Sequence, residues 1–212
     1  MNDTRLREAL LATARAMNAH NLNRGAAGNV STRSGDGFLV TPTGMAYDEA
    51  SAADMVPMAL DGNWRGARKP SSEWRFHRDL YAERPEAGAI VHAHSPFATA
   101  LACIGADIPP FHYMIARFGG STVRCAAYAT FGTQALSDAA LVALDGRCAC
   151  LLANHGMLVF GRDLRQALDL AVEFESLCEQ YWRALQVGAP VLLDEAEMDG
   201  VLRLFKDYGQ QA

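Results

Sequence analysis

Residues 89–94 of the chain read Ala-Ile-Val-His-Ala-His, and this stretch decides how the rest of the sequence is interpreted. Its apolar and β-branched residues predict a buried β-strand. Side chains two positions apart on a strand point to the same face of a sheet, so His92 and His94 are aimed at one point. The stretch therefore predicts a sheet that presents two metal ligands side by side.

A third histidine and a glutamate complete the candidate site. His155 follows the apolar run 150–153 and precedes Gly156, a residue type that allows a sharp turn at a strand end. Glu73 lies near the predicted start of a helix over residues 71–83. Three histidines and a carboxylate are a typical set for catalytic zinc, which keeps one position for water or substrate. Spacing alone leaves open that these histidines are hydrogen-bonded core residues.

The other histidines, His20, His77 and His112, lack such neighbours, and we interpret them as structural. His77 is a special case because it follows Glu73 by one helical turn and would lie on the same face of that helix. Its side chain would then either fill the core or contact the groups that hold the metal ligands.

Composition predicts a single α/β domain over residues 1–212. Half of the 212 residues are hydrophobic and 20% are charged, and no linker, repeat or low-complexity tract interrupts the chain. A net charge of -5 without a basic cluster argues against nucleic-acid and anionic-membrane partners. The first residues show helical periodicity with acidic residues, unlike a signal peptide, and no apolar run is long enough to span a membrane. We therefore expect a cytoplasmic protein.

Helices are predicted to alternate with an extensive sheet. The predicted strands cover residues 29–33, 38–40, 56–60, 89–94, 149–153 and 157–160. Helices are predicted at the N-terminus and over residues 71–83, 96–104, 133–144, 164–187 and 195–206. The helix over 164–187 has only a narrow polar stripe, so it would pack against the sheet and also against other elements or a second subunit.

The five cysteines contain no C-x-x-C pair, so we predict no disulfides and five small buried side chains.

Three short segments rich in glycine, serine and threonine are suited to binding an oxyanion. They cover residues 25–29, 41–44 and 70–72. Such segments present backbone N–H groups and hydroxyls, and Ser71 and Ser72 would add the positive end of the helix that follows. Each pattern is equally typical of ordinary helix caps and turns. No glycine motif for nucleotides is present.

Glu73 directly follows these serines, so a bound anion and a carboxylate would share one helix end. A carboxylate beside a metal ion can act as a base once substrate displaces it. Metal ions also stabilise the charge that forms when a proton is removed next to a carbonyl group. The two lysines, Lys69 and Lys206, are not placed for an imine mechanism. The pattern therefore favours metal-dependent chemistry at carbon.

Eight segments occur in the order AGNVSTR, VTPTGMAYD, KPSSEWRFH, IVHAH, HYMIARFGG, YATFGT, LLANHG and LFKDYG. Over nearly the whole chain they resemble the class II aldolase/adducin family. The resemblance implies a three-layer α/β/α domain with a mainly antiparallel or mixed central sheet. It also implies one Zn²⁺, or another divalent transition metal, in each subunit. The ligands would be His92, His94, His155 and Glu73, and Glu73 would become the base when substrate binds.

The resemblance also assigns residues around the metal. A substrate phosphate pocket is implied at Gly28, Asn29, Thr43, Gly44, Ser71 and Ser72. Tyr113 would act on the proton of the aldehyde-derived oxygen at the site of a neighbouring subunit in a homotetramer. Phe205 and Tyr208 would close over the aldehyde portion of the substrate.

The implied activity is reversible cleavage of a ketose 1-phosphate to dihydroxyacetone phosphate and a small aldehyde. L-fuculose 1-phosphate, 5-deoxyribulose 1-phosphate and 5-methylthioribulose 1-phosphate all remain open as substrates. Sequence departures beside the histidine motifs leave the aldehyde undefined. One alternative is an L-ribulose-5-phosphate 4-epimerase-like enzyme, although that branch typically has aspartate in place of Glu73. Another is an adducin-like interaction module without chemistry, which would not need the metal ligands.

Overall fold

The computed structural model describes residues 3–207, with only the backbone described for residues 206 and 207. The helices are α1 (Asp3–Ala19), α2 (Trp74–Glu83), α3 (Pro96–Ala102), α4 (Gln134–Ala143), α5 (Leu164–Val187) and α6 (Glu195–Asp207). The strands are β1 (Asn29–Ser34), β2 (Gly37–Val40), β3 (Val56–Ala59), β4 (Ala89–Ala93), β5 (Cys125–Ala126), β6 (Ala149–Leu152) and β7 (Gly156–Gly161). Two short 3-10 helices cover Ala52–Asp54 and Tyr113–Phe118.

The strands form one seven-stranded sheet in the order β3-β2-β1-β4-β7-β6-β5. Neighbouring strands are antiparallel, except that β5 and β6 are parallel. Strand β4 lies at the centre, with Asn29 of β1 opposite His92 on one side and Leu158 of β7 opposite His92 on the other. The predicted α/β fold with a mixed, mainly antiparallel sheet is confirmed.

Helices cover both faces of this sheet. Alternate residues of β4 show the division: Val91 packs into the core beneath α1, α3, α5 and α6, whereas Ile90 packs into the core beneath α2 and α4. Because side chains alternate along a strand, His92 lies on the same face as Ile90 and therefore faces α2. The fold thus places the first predicted ligand under the helix that follows Glu73.

Helix α2 is held to the sheet by its buried apolar face. Phe76, Leu80 and Tyr81 are almost completely buried in the core on this side. Burying a side chain of this size contributes about 1.5–3 kcal/mol each to folding. The helix ends at Glu83, just before Pro85, since the residue before a proline disfavours helical geometry. The position of its first turn, and hence of Glu73, is therefore set by core packing.

Several predictions of local structure need correction. Helix α2 begins at Trp74 and not at Ser71, because Ser71 accepts a backbone hydrogen bond from Trp74 in a separate turn and Glu73 is the N-cap. Among the cysteines, Cys103 is exposed, and Cys125 and Cys148 are only partly buried. Cys103 is the C-cap residue of α3, and its side chain is exposed.

No helix within residues 3–207 has the length and apolar character needed to cross a bilayer.

Candidate metal centre

Four side chains from three parts of the chain converge at one end of β4. His92 comes from β4 itself and His94 from the residue after it. His155 lies in the turn between β6 and β7, and Glu73 caps α2. One ligand atom of each of these four residues lies within 4.8 Å of the corresponding atoms of the others. The structure therefore brings together the four residues that the sequence analysis selected as metal ligands.

A tight turn places His155 against the end of β4. Asn154, the residue before it, adopts the left-handed conformation with φ 56°. Gly156, the residue after it, packs so closely that an added Cβ atom would lie 2.4 Å from the carbonyl oxygen of Ala93. No ordinary Cβ tolerates that distance, so only glycine fits here. The glycine after the histidine serves strand packing as well as the turn.

The ligand atoms face one another at short distances. Nε2 of His92 lies 3.0 Å from Nε2 of His94 and 3.2 Å from Oε2 of Glu73. Nε2 of His155 lies 3.1 Å from Oε1 of Glu73. The three imidazole rings are 4.8–4.9 Å apart between centroids and are steeply inclined to one another. The three imidazole nitrogens and the carboxylate thus form one compact cluster.

The protonation pattern indicates that a cation fits between these atoms. Nδ1 of His92 donates to the carbonyl oxygen of Met157 at 2.8 Å, which leaves a lone pair on the Nε2 that faces the cluster. Oε1 of Glu73 is buried and accepts no hydrogen bond, although His155 is near. Lone pairs that converge without donors repel one another unless a positive charge lies between them. Imidazole nitrogens with one carboxylate are a donor set that divalent transition metals favour.

The electrostatics of the cluster favour the metal-binding forms of Glu73 and His94, and in the absence of a cation they favour the protonated form of His92. Burial alone would raise the pKa of the Glu73 carboxyl, but attraction to His92 and the contact with His155 outweigh burial and lower it, so Glu73 is ionised. Burial, followed by the charges of His92 and His155, lowers the pKa of His94 to about 4. Burial also opposes the charged form of His92, yet the carboxylate of Glu73 raises its pKa overall. A bound cation would replace that proton.

A cavity of about 360 Å³ opens beside the cluster. Glu73, His94 and His155 form part of its wall, while His92 is fully buried behind them. The wall also contains all six residues predicted for the phosphate pocket, namely Gly28, Asn29, Thr43, Gly44, Ser71 and Ser72. A larger cavity, of about 800 Å³, is lined by none of the four cluster residues. Of these two cavities, only the smaller one is therefore lined by residues of the cluster.

Sequence reasoning missed residues that shape this cavity. Tyr128, Phe131 and Asn154 line it, and the first two rings are largely exposed at its mouth. Asn23 is buried behind it: its side-chain oxygen accepts from the backbone N–H of His94 at 3.1 Å, and its amide abuts Gly28. The segment YATFGT contained a signal for Tyr128 and Phe131. No sequence pattern pointed to Asn23, because the backbone N–H of His94 that it binds lies 71 residues away in the chain.

Two predicted site residues, Tyr113 and Phe205, do not line this cavity. Tyr113, at the start of the second 3-10 helix, is 50% exposed and does not line the cavity. The ring of Phe205 lies nearly parallel to that of Tyr113, with the centroids 6.4 Å apart. Tyr208 falls outside the described residues. Tyr113 and Phe205 therefore lie side by side, and neither lines the cavity beside the four-residue cluster of the same chain.

Fold and site together define an α/β protein with a divalent-metal centre built on a mixed sheet. Comparison with known proteins gives the family. Residues 8–182 match the family model described as Class II Aldolase and Adducin N-terminal domain. The chain belongs to this family. Enzymes of the class II aldolase type are lyases, and the divalent-metal cluster is in keeping with that class.

The chain is similar over nearly its whole length to named aldolases. It is 55% identical to the 5-methylthioribulose-1-phosphate/5-deoxyribulose-1-phosphate aldolase of Rhodospirillum rubrum, over 98% of this chain and 94% of that protein. It is 42% identical to the L-fuculose phosphate aldolase of Escherichia coli K12, over 99% and 98% respectively. A solved structure of L-fuculose 1-phosphate aldolase superimposes with a TM-score of 0.91 at 38% identity, covering 95% of this chain and 96% of the other.

Proposed function

We propose that this protein is a zinc-dependent aldolase that cleaves a ketose 1-phosphate to dihydroxyacetone phosphate and a small aldehyde. The observation that carries the proposal is the position of Glu73. Its carboxylate contacts the histidine cluster on one side and lines the cavity with the predicted phosphate-binding residues on the other. A base held between an electrophile and an anion pocket matches the needs of proton transfer next to a carbonyl group.

In this proposal His92, His94 and His155 hold the ion, and Glu73 completes its shell in the resting protein. The ion would supply Lewis-acid stabilisation of negative charge on substrate oxygens. Glu73 would remove the proton from the carbon next to the carbonyl of dihydroxyacetone phosphate in the direction of synthesis. In cleavage it would return that proton to the same carbon after the carbon–carbon bond has broken.

The phosphate group would be held by the polar wall of the cavity. Gly28 and Gly44 both have positive φ, which lets the chain present backbone atoms to the cavity without a Cβ in the way. Ser71 and Ser72 precede the N-terminus of α2, where backbone N–H groups and the helix dipole favour an anion. This support depends on several groups together, because each alone is also an ordinary turn or cap.

For the aldehyde we favour a methylthio or methyl substituent, as in 5-methylthioribulose 1-phosphate or 5-deoxyribulose 1-phosphate. The mouth of the cavity carries Tyr128, Ala129 and Phe131, which offer apolar surface and few donors. Such a wall suits a thioether or methyl group better than an additional hydroxyl. The relative from Rhodospirillum rubrum, whose name gives both substrates, supports the same choice.

We also propose one domain over residues 1–212, assembled as a homotetramer in which Tyr113 completes the site of a neighbour. Tyr113 is half exposed beside Phe205, so one neighbouring subunit would deliver both rings together. The phenol of Tyr113 would give or take the proton of the aldehyde-derived oxygen. A cytoplasmic location is supported by five unpaired cysteines, one of them exposed, which are typical of a reducing compartment.

A panel of phosphorylated ketoses tests the proposal. Purified protein loaded with Zn²⁺ should release dihydroxyacetone phosphate from 5-methylthioribulose 1-phosphate, 5-deoxyribulose 1-phosphate or L-fuculose 1-phosphate. A C4 epimer formed from L-ribulose 5-phosphate, without cleavage of any 1-phosphate, would replace the aldolase by an epimerase. Absence of bound metal and of any turnover would favour an interaction module.

A further inference from the structure

A row of buried polar side chains runs from Glu73 into the interior of the protein. Asn29 contacts Glu73, His77 contacts Asn29, and Ser31 and Tyr81 follow behind them. All four residues behind Glu73 are at most 3% exposed. Only Asn29 among these four lines the cavity, and the roles proposed above use none of the other three.

The contacts form an unbroken chain. Oη of Tyr81 lies 2.8 Å from Oγ of Ser31, which lies 2.7 Å from Nδ1 of His77. Nε2 of His77 lies 2.5 Å from Oδ1 of Asn29. Nδ2 of Asn29 donates to Oε2 of Glu73 at 3.0 Å. The five side chains come from β1 and from α2 with its N-cap Glu73, and hydrogen bonds from Ser31 to His77 and Tyr81 connect the two elements.

The direction of every hydrogen bond follows from Glu73. A carboxylate only accepts, so Asn29 must turn its N–H toward Glu73 and its carbonyl oxygen toward His77. That oxygen needs a donor, so Nε2 of His77 carries the proton. In a neutral imidazole the other nitrogen then accepts, and the Ser31 hydroxyl donates to it. Tyr81 in turn donates to Ser31, so each of the two hydroxyls donates one hydrogen bond.

Other features agree with this direction. Burial, reinforced by the nearby charge of His92, lowers the pKa of His77 to about 3, so its ring is neutral at physiological pH. The guanidinium of Arg33 lies 4.8 Å from the centre of the Tyr81 ring and donates to the Tyr81 carbonyl, fixing the far end. Asn29 is opposite His92 in the sheet, so the same residue is anchored beside a metal ligand.

We propose that His77 is a positioning residue for the base Glu73, because its Nε2–H holds the Asn29 amide in the one orientation that donates to the carboxylate. The inference rests on the proposed role of Glu73. If the amide of Asn29 turned over, its oxygen would face Oε2 of Glu73 across 3.0 Å, and the carboxylate would have to move. With Ser31 donating to Nδ1 and Tyr81 donating to Ser31, the row stabilises the His77 tautomer that carries its proton on Nε2.

An ordinary buried hydrogen-bond network would also satisfy these polar groups, so the experiment must separate positioning from stability. His77→Leu removes the donor, whereas His77→Gln retains an N–H near the position of Nε2. We expect His77→Leu to lower kcat by about 10–100-fold, the usual effect of removing a group that orients a metal-site residue, and His77→Gln to recover most of it. Equal kcat in His77→Leu and wild type would overturn the proposal.

A double-mutant cycle with Glu73→Gln supplies the decisive comparison. If His77 acts through the carboxylate, His77→Leu should change single-turnover cleavage by less than about 3-fold once Glu73 is glutamine, because the group being oriented is already lost. A further loss of the same 10–100-fold in that background would show a general structural role and overturn the proposal. If His77→Leu does not fold, Tyr81→Phe takes its place in the cycle, since the ring keeps its packing on Phe38.

Ser31→Ala and Ser137→Ala form a matched pair of buried-hydroxyl deletions. Ser137 is equally buried and donates to Asp79 at 2.6 Å, on the same side of the sheet but outside the row. Both variants should lower Tm, and only Ser31→Ala should lower kcat. Equal effects of the two variants on kcat would contradict positioning.

The tautomer can be measured without any activity. Nitrogen chemical shifts of His77, recorded at neutral pH on the metal-free protein, should show a protonated Nε2 and a bare Nδ1. The opposite tautomer would overturn the proposal. A wild-type protein that binds metal but cleaves no sugar phosphate would refute the proposed function, and the shifts would then decide alone whether His77 directs Asn29.

Discussion

Replacing Glu73 by glutamine tests the centre of the proposed function. The substitution keeps the shape of the side chain but removes its charge and its ability to take a proton. Oε2 of Glu73 accepts from Asn29 at 3.0 Å, so the new amide would keep its oxygen there and place its NH₂ group toward His155, 3.1 Å away. The three histidines remain, so a metal ion should still bind.

The expected loss follows from the role of the carboxylate. A positioned general base typically contributes about 10²–10⁴-fold to the rate. At about 1.36 kcal/mol for each factor of ten, this is roughly 2.7–5.4 kcal/mol of lost transition-state stabilisation. Metal binding should change less, because the three histidines of the cluster are unaltered. We therefore expect a large fall in kcat with metal content close to that of wild type.

The assay couples release of dihydroxyacetone phosphate to NADH oxidation, and metal content is measured by plasma mass spectrometry on the same samples. Glu83→Gln is the matched control, because Glu83 is an exposed glutamate at the other end of α2. It should have wild-type kinetics. A Glu73→Gln protein with full metal content and kcat within 3-fold of wild type would refute the assignment of Glu73 as the base.

Further outcomes are expected from metal removal, ligand loss, strand packing and pH. Chelation should abolish cleavage and Zn²⁺ should restore it; activity persisting in metal-free protein would contradict a metal mechanism. The His155→Ala variant should retain little bound metal when measured by mass spectrometry. The control variant His20→Ala, which changes an exposed histidine, should retain its metal. Gly156→Ala would press a methyl group against the Ala93 carbonyl and cost about 1–3 kcal/mol in denaturant unfolding; unchanged stability would be inconsistent with the close packing. Burial lowers the pKa of His77 from 6.5 to about 3, so between these values the unfolded chain binds a proton that the native protein does not. Stability of the metal-free protein should fall on acidification below about pH 6.5 by up to about 1.4 kcal/mol per pH unit from this group; the slope should be shallower in His77→Gln, and an identical slope would show that His77 does not contribute.

Much of the fold could be predicted because its signals are local. The apolar, β-branched run in residues 89–94 predicted β4, and the two-residue spacing of His92 and His94 predicted their common direction. The bounds of α5 were predicted correctly because Asp163 caps the helix at one end and Gly188 follows the other. Strand β5 was missed, since its two residues show no periodicity. The start of α2 was placed too early because serines before a helix resemble its first turn.

The site was less predictable where function depends on contacts between distant segments. Asn29 was predicted only as a phosphate ligand, yet its amide connects Glu73 and His77, which are 44 and 48 positions away in the chain. Sequence spacing carries no information on such a pairing. The alternative left open for His77, a contact to the groups around the metal, agrees with its place behind Asn29. Tyr113 stays a prediction, since its proposed target belongs to another subunit.

The central position of β4 has a consequence for how the protein loses and regains its ion. Strand β4 is paired on both sides, with Asn29 across from one ligand and the strand after His155 on the other side. Local opening reaches such interior strands last, so their amide protons should exchange only on global unfolding. Exchange of the metal ion should therefore proceed through the mouth of the cavity, which Tyr128 and Phe131 line, and the exchange rate should be insensitive to mild denaturant.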